Sequence, residues 1–237
     1  MLKDKVIIIS GATGGLGRVL TREFVKAGAK VVLSARIGGK LKALAETLPR
    51  EQALVFPADA SSVEEVEDLF EFASEKFGHI DAVVMSTGSW AQVGIDDSVE
   101  DAAKQADAHY QSFFKTSFVT SFVAQQVFRA QGHGLIVNIS SHAAFDYKLS
   151  SNLTYGPMKA ASLHLMKALR HELRGTKVRV ADIEPGTINT EEMAARLDTP
   201  EKQSKAVQPE AIADWIVEHF DDENIPEATH FASGSTL

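Results

Sequence analysis

Residues 5–17 read Lys-Val-Ile-Ile-Ile-Ser-Gly-Ala-Thr-Gly-Gly-Leu-Gly. An apolar, β-branched run from Val6 to Ile9 breaks into a glycine turn, and an amphipathic segment carrying Leu16, Val19, Leu20 and Phe24 follows. The pattern predicts strand, tight turn and helix. Such a turn lets a pyrophosphate lie against backbone amides at a helix N-terminus, where missing side chains allow close approach and the helix dipole favours negative charge. The glycines stand at 11, 15 and 17, a G-x-x-x-G-x-G spacing rather than the commoner G-x-G-x-x-G. A glycine cluster after a strand is also how an ordinary tight turn is built, so its meaning depends on what surrounds it.

Further apolar, β-rich runs follow at Lys30–Ser34, Ala53–Phe56, Ala82–Met85, Leu135–Ile139 and Lys177–Ile183, with a weaker one near Thr229–Ala232. Segments of helical periodicity separate them, such as Val63, Val66, Leu69, Phe70, Ala73 and Phe77. Continuous apolar strands alternating with helices predict βαβ units in a doubly wound parallel sheet of about seven strands, with helices on both faces. Phe113, Phe114, Phe118 and Phe122 are read as the start of a long helix with one strongly apolar face, and residues 152–174 as another. The segment 209–220 is read as a last helix. The polar stretch Thr190–Gln208 is expected to overhang the ligand crevice as a lid.

The chain has 237 residues, which one α/β domain spanning 1–237 can absorb, and its 44% hydrophobic content supports a full core. The absence of cysteine excludes disulfides, zinc fingers and thiol catalysis. A net charge of −8 argues against a general nucleic-acid binder, although local amides and one arginine can still hold an anion. The eight histidines, His164 and His171 among them, lack the clustering of a metal site. The apolar run before Ser10 is too short for a secretory segment or a membrane span, so the expectation is a soluble cytoplasmic protein without membrane partners.

Tyr155 and Lys159 stand one helical turn apart on one face. A cation near a phenol favours phenolate and lowers its pKa toward the range of proton exchange with an alcohol or carbonyl oxygen. The spacing alone is a weak signal; a surface helix pair would look the same. Upstream, Gly134-Leu-Ile-Val-Asn-Ile-Ser-Ser141 is a buried-strand pattern ending in two hydroxyls. A serine at the carboxyl end of a central strand faces the crevice and can bond a reacting oxygen, or can simply cap the strand.

The glycine turn, the Asn-Ile-Ser-Ser strand end, Tyr155-x-x-x-Lys159 and Pro185-Gly-Thr-Ile-Asn-Thr190 occur in the order found in short-chain dehydrogenases/reductases. The chain resembles that family over nearly its whole length. The resemblance implies a Rossmann-type fold in which Tyr155 is the catalytic acid/base. Lys159 would bind the nicotinamide ribose while lowering the Tyr155 pKa, and Ser141 would orient the substrate oxygen. It further implies cofactor contacts from Gly11, Thr13, Gly15, Leu16, Gly17, Asp59, Ala60, Gly88, Pro185 and Gly186. Ile188 would add its backbone, and Thr190 would lie near the phosphates. Family members commonly form dimers or tetramers through two long helices, so a homodimer or homotetramer is expected; core packing would explain the phenylalanines equally well.

Three departures from the family pattern stand out. Met85-Ser-Thr-Gly88 replaces the usual Asn-Asn-Ala-Gly, keeping the glycine that admits the cofactor and losing the bracing amides. No asparagine occurs between Met85 and Leu135, and Lys115 or Thr116 falls where the family places its relay asparagine. His142 stands thirteen residues before Tyr155, the usual place of the serine, and Ser141 fourteen. Ser141 is preferred because a hydroxyl donates to an oxyanion at any pH, a neutral imidazole only in one tautomer.

The second strand ends Ser34-Ala35-Arg36, with no carboxylate to bind a ribose 2′-hydroxyl. A guanidinium there accommodates a 2′-phosphate, which favours NADP(H) over NAD(H), with Ser34 as a second contact. The alternative is a solvated loop arginine. The expected function is an NADPH-dependent carbonyl reductase/alcohol dehydrogenase acting on a small or medium carbonyl or alcohol. Its rivals are a low-activity NADP(H)-binding sensor or scaffold and an NAD-linked alcohol dehydrogenase. Trp90 would sit beside the crevice, to stack on a substrate or to pack. Met193 and Leu197 would give an apolar wall or hold the lid down; neither identifies the substrate.

Overall fold

The computed structural model describes residues 1–88, 90–146, 152–194 and 196–231. Seven parallel strands form one sheet: β1 (Val6–Ser10), β2 (Lys30–Ala35), β3 (Ala53–Pro57), β4 (Ala82–Met85), β5 (Gly134–Ile139), β6 (Val178–Pro185) and β7 (Ala228–Phe231), in the order β3-β2-β1-β4-β5-β6-β7. The helices are α1 (Gly15–Lys26), α2 (Gly38–Ala45), α3 (Val63–Phe77), α4 (Val99–His109), α5 (Thr116–Gln131), α6 (Tyr155–Glu172), α7 (Pro200–Lys205) and α8 (Pro209–His219). Of the weak last strand read at 229–232, position 232 lies outside the described residues.

Strand residues alternate between two apolar layers. Ile7 and Ile9 join Leu20, Phe24, Leu41, Ile212 and Trp215 of α1, α2 and α8, whereas Ile8 joins Phe70, Val123, Phe128 and Met166 of α3, α5 and α6. Every residue of β1, β4 and β5 is buried, which is why these strands carry unbroken apolar runs rather than alternating ones. Each fully buried aliphatic or phenyl side chain contributes roughly 1.5–3 kcal/mol relative to exposure. None of the described helices is long and apolar enough to cross a membrane.

The strand order reverses between β1 and β4, and the crevice outside the carboxyl ends of the strands at such a point is where ligands bind in open α/β sheets. The long helix expected to begin at Phe113 starts earlier. It runs through α4, a π-helical turn over Tyr110–Lys115, and α5. Sequence periodicity misses α4 because only His109 of its eleven residues is buried.

Candidate active site

The glycine turn links β1 to α1 as the sequence predicts. Gly11 takes φ +86°, and its amide and that of Ala12 donate to the Ser34 carbonyl oxygen at 2.9 and 3.1 Å. A Cβ on Gly11 would lie 2.8 Å from the Ser86 backbone, and one on Gly17 would overlap the Gly11 carbonyl oxygen. The turn therefore packs against the loop after β4 and against itself. The Thr13 carbonyl accepts from Arg18 Nη1 at 2.9 Å, and Leu16 is buried in the core.

No side chain bonds the N-cap Gly14, and the first turn of α1 carries no acid of its own. Instead, a carboxylate comes from the segment after β6: Glu192 Oε2 fills the space a Cβ on Gly15 would need, beside the Thr190 side chain. Arg18 holds Glu192 at 2.9 Å and Glu191 at 3.0 Å. Burial would raise the Glu192 carboxyl, but its own amide, Arg18 and Thr190 hold it below the usual range. An anion thus already sits at the helix N-terminus, where the dipole favours it.

Arg36 and Asp59 line a cavity of about 300 Å³ with Pro57, Ala58 and Glu65, beyond the ends of β2 and β3. Burial opposes ionisation of Asp59, yet two hydrogen bonds from Ser61 and the charges of Arg36 and Lys115 keep its carboxyl low. Ala60 follows in the same loop, half-buried. Ser34 is only 2% exposed, inside the sheet between Ser10 and Phe56. Ser34 is thus held inside the sheet, while Arg36, directly after β2, reaches the cavity.

On the opposite side, Pro185 ends β6, the Gly186 amide donates to Phe231 O at 3.0 Å, and Ile188 bridges to Val207. These contacts fix the backbone at the start of the segment 190–208. Ala195 lies outside the described residues. Leu197 is buried, and Trp90, 42% exposed, is covered by the Arg196 guanidinium 3.4 Å from its ring centroid rather than standing open.

Tyr155 opens α6. Asn152 fixes this end: its Oδ1 accepts from the amides of Thr154 and Tyr155 at 3.1 and 3.0 Å, and its Nδ2 donates to Ala91 O. His109 Nδ1 pairs with Thr154 Oγ1 at 2.7 Å. Burial pushes the Tyr155 phenol above the usual tyrosine range, and a hydrogen bond with Ser141 pulls it back. The expected lowering of this phenol by Lys159 is thus not realised here; desolvation dominates. Ser141 Oγ also accepts from the Ala143 amide at 3.2 Å, which holds the hydroxyl at the strand end.

Ser141, not His142, meets Tyr155. Burial and the neighbouring His230 keep the His142 imidazole below the usual histidine range, and its ring packs on Phe145 and His230. Ser140 turns the other way, into Asp182.

Lys159 is buried and donates through Nζ to Ile139 O at 2.7 Å. Burial brings its ammonium down to about 8, opposed by the attraction of Asp182. Asp182, buried in β6 and bonded by Asn138 and Ser140, is itself pushed up to about 6 by desolvation. Ser117 Oγ donates to Asn138 Oδ1 at 3.1 Å and completes the network. Reading 177–183 as an apolar strand passed over Asp182, and that acid inside the run, with Glu184 just beyond it, was the available signal.

Phe113, within the π turn, packs against both Tyr155 and Lys159. Lys115 is directed toward Asp59, and Thr116 Oγ1 meets Thr87 Oγ1 at 3.1 Å. Ser86 Oγ donates to Ser10 O at 3.0 Å, so hydroxyls perform the bracing expected of amides. The space beside Gly88 is filled by the Phe113 ring. Among the described residues no group of three or more His, Asp or Glu side chains could hold a metal ion.

Residues 5–201 match the short chain dehydrogenase family. An uncharacterized oxidoreductase of Staphylococcus aureus (strain USA300) is 32% identical over 217 residues, covering 92% of this chain and 91% of the relative. One of Staphylococcus haemolyticus is 31% identical, covering 91% and 90%. Among solved structures, a 7α-hydroxysteroid dehydrogenase complexed with NADH and 7-oxo glycochenodeoxycholic acid superposes with a TM-score of 0.85 at 26% identity, covering 100% of this chain and 95% of that one. A short chain dehydrogenase from Bacillus anthracis superposes with a TM-score of 0.85 at 26% identity, covering 99% and 97%. The chain belongs to the short-chain dehydrogenase/reductase family. It is an oxidoreductase on the Rossmann-type fold of that family.

Proposed function

We propose that this oxidoreductase interconverts a carbonyl and an alcohol on a small or medium organic substrate in the cytoplasm, with NADP(H) preferred over NAD(H). The observation that carries the reading is the Tyr155 hydroxyl hydrogen-bonded to Ser141, with the Lys159 ammonium one helical turn further along the same helix. Ser141 donates to the substrate oxygen and holds it beside Tyr155. In reduction Tyr155 gives its phenolic proton to that oxygen as charge develops there, and in oxidation it removes the proton. Lys159 binds the ribose hydroxyls and stabilises the phenolate left behind.

The residues fit a dinucleotide. The turn residues Gly11, Thr13, Gly15, Leu16 and Gly17 lead into the α1 N-terminus, where the Glu192 carboxylate already lies. Asp59 and Ala60 take the adenine side, Arg36 the 2′-phosphate, and Gly88, Pro185, Gly186, Ile188 and Thr190 the nicotinamide side and phosphates. When bound, the dihydronicotinamide supplies the hydride. The structural neighbour solved with NADH supports a nicotinamide cofactor, and Arg36 with no acid at Ala35 supports the phosphorylated form. The segment 190–208 is the substrate lid, tied to α1 through Arg18.

The test is NADPH binding measured beside steady-state turnover on a panel of ketones and aldehydes, for wild type and Tyr155→Phe. Turnover lost by orders of magnitude with NADPH affinity kept supports the reading. Tight NADPH binding with no turnover in wild type would instead favour a sensor or scaffold.

A further inference from the structure

We propose that Phe113 is a positioning residue for the reacting pair, its ring delivered by the π turn into the space left open by Gly88 so that it holds the Lys159 ammonium and the Tyr155 phenol together. The inference rests on the roles given above to Tyr155 and Lys159. Lys159 Nζ stands 4.7 Å from the Phe113 ring centroid. The Tyr155 ring meets the same ring in a T-shaped contact at 5.2 Å and 83°. Behind it, His109 packs at 5.3 Å, anchored in turn through Thr154 to the start of α6. Phe113 is 4% exposed, and a Cβ on Gly88 would overlap its Cε1 atom.

Two local features put the ring there. Each residue advances a helix face by about 100°, so the extra residue of a π turn re-aims every side chain that follows. The π turn over Tyr110–Lys115 points Phe113 at α6, where an uninterrupted α-helix would turn it aside. Gly88, by lacking a side chain, leaves the volume that the phenyl occupies.

An aromatic face carries negative quadrupole density and attracts a cation, more strongly once both are dry. Among the described residues, few groups face Lys159. They are the Ile139 carbonyl from β5, the Asp182 carboxylate from β6, Tyr155 from its own helix with Ser141 beyond it, and the Phe113 ring with His109 behind. Like the Ile139 carbonyl, the ring is neutral and favours the charged lysine without offering a proton; unlike the carbonyl, it also touches the Tyr155 ring. It keeps the ammonium at its post beside the phenol.

The test is an NMR titration of the Lys159 side-chain Cε and Nζ signals in the full-length protein, assigned by their loss in Lys159→Met. In Phe113→Leu the midpoint is expected to fall by about half a unit to one and a half units. Gly88→Ala, which evicts the ring without altering it, should move the midpoint the same way and covers the case in which Phe113→Leu misfolds. A midpoint that stays put or rises in a folded variant overturns the proposal, since the ring would then act only as a filler against water. If Tyr155→Phe keeps turnover while Phe113→Leu still shifts the midpoint, the proposed function fails and the ring's hold on the lysine stands. If Tyr155→Phe abolishes turnover and the midpoint does not fall, this inference alone fails.

Discussion

Lys159 donates its ammonium proton to the Ile139 carbonyl oxygen across 2.7 Å, tying α6 to the end of the central strand β5. The cation is thus satisfied by a neutral acceptor at hydrogen-bond distance, while its nearest charged influence is the buried Asp182. Burying it costs stability as long as it is charged. Its ammonium titrates near 8 in the fold against 10.5 for an ordinary lysine, so the unfolded chain binds more protons between these values. Stability therefore rises with pH through this window. Relative to Lys159→Met, which has no charge to bury, wild type should gain on the order of 3 kcal/mol between pH 8 and pH 10.5. Denaturant melts of the two proteins at pH 7, 8, 9 and 10 measure the gap, and a constant gap would refute the titration of Lys159 in that range.

Lys159 and Tyr155 separate in their expected effects on the cofactor. Tyr155→Phe removes only the proton, so NADPH affinity should remain within about threefold while turnover falls by orders of magnitude. Lys159→Ala removes a ribose ligand and the phenolate's partner together, so affinity and turnover should both fall. Fluorescence titration with NADPH decides it: unchanged binding in Lys159→Ala would contradict the ribose role.

Arg36 should decide the cofactor. A guanidinium binds a 2′-phosphate bidentately, and a carboxylate in its place repels the phosphate and accepts from a 2′-hydroxyl. Arg36→Asp should swing the ratio of NADPH to NADH affinity by tenfold or more toward NADH. The nearby carboxylates Asp59 and Glu65 line the same cavity and remain in both proteins, so they cancel in the comparison. An unaltered ratio would remove the argument for NADP(H).

The Glu192 carboxylate lies at Gly15, on the helix N-terminus proposed to take the cofactor pyrophosphate, so the two are expected to compete. Glu192→Gln keeps the shape and removes the charge. Helix-terminus interactions of this kind are worth about 0.3–1 kcal/mol, so NADPH should bind roughly two- to fivefold tighter. The gain should shrink in high salt. Weaker binding in the variant would show that Glu192 helps rather than hinders.

Much of the sheet was legible because interior parallel strands write themselves as unbroken apolar runs, as Val6–Ser10 and Gly134–Ile139 do. Ser141, Tyr155 and Lys159 were legible because a strand end and one helical turn bring them to a common place. What local pattern did not carry was contact across the chain. The placement of Phe113 depends on a π turn whose sequence, Tyr-Gln-Ser-Phe-Phe-Lys, has no periodic signature. Asp182 pairs with Asn138 and Ser140 more than forty positions upstream, and Glu192 reaches Arg18 across 174 positions. Ser34 stands near a strand end, yet its neighbours on both sides bury it, which the local pattern does not show.

The aromatic stripe on the long helix leads to an expected assembly. Tyr110 stacks on Phe114 at 5.8 Å, Phe114 on Phe118 at 6.2 Å and Phe118 on Phe122 at 5.0 Å. Four-residue spacing places all four on one face, and Phe118 and Phe122 are 40% and 44% exposed. Phe113 and Phe128 take the core, so core packing does not account for these four. A contiguous apolar face of this kind is costly in water and marks a contact surface. The proposed occupant is the same stripe of a second copy, since a two-fold axis makes such a face self-complementary. Phe118→Lys with Phe122→Lys should reduce the mass measured by light scattering to that of a single chain, with the melting profile of the monomer retained. A wild-type protein that already elutes as a monomer at tens of micromolar would end this reading.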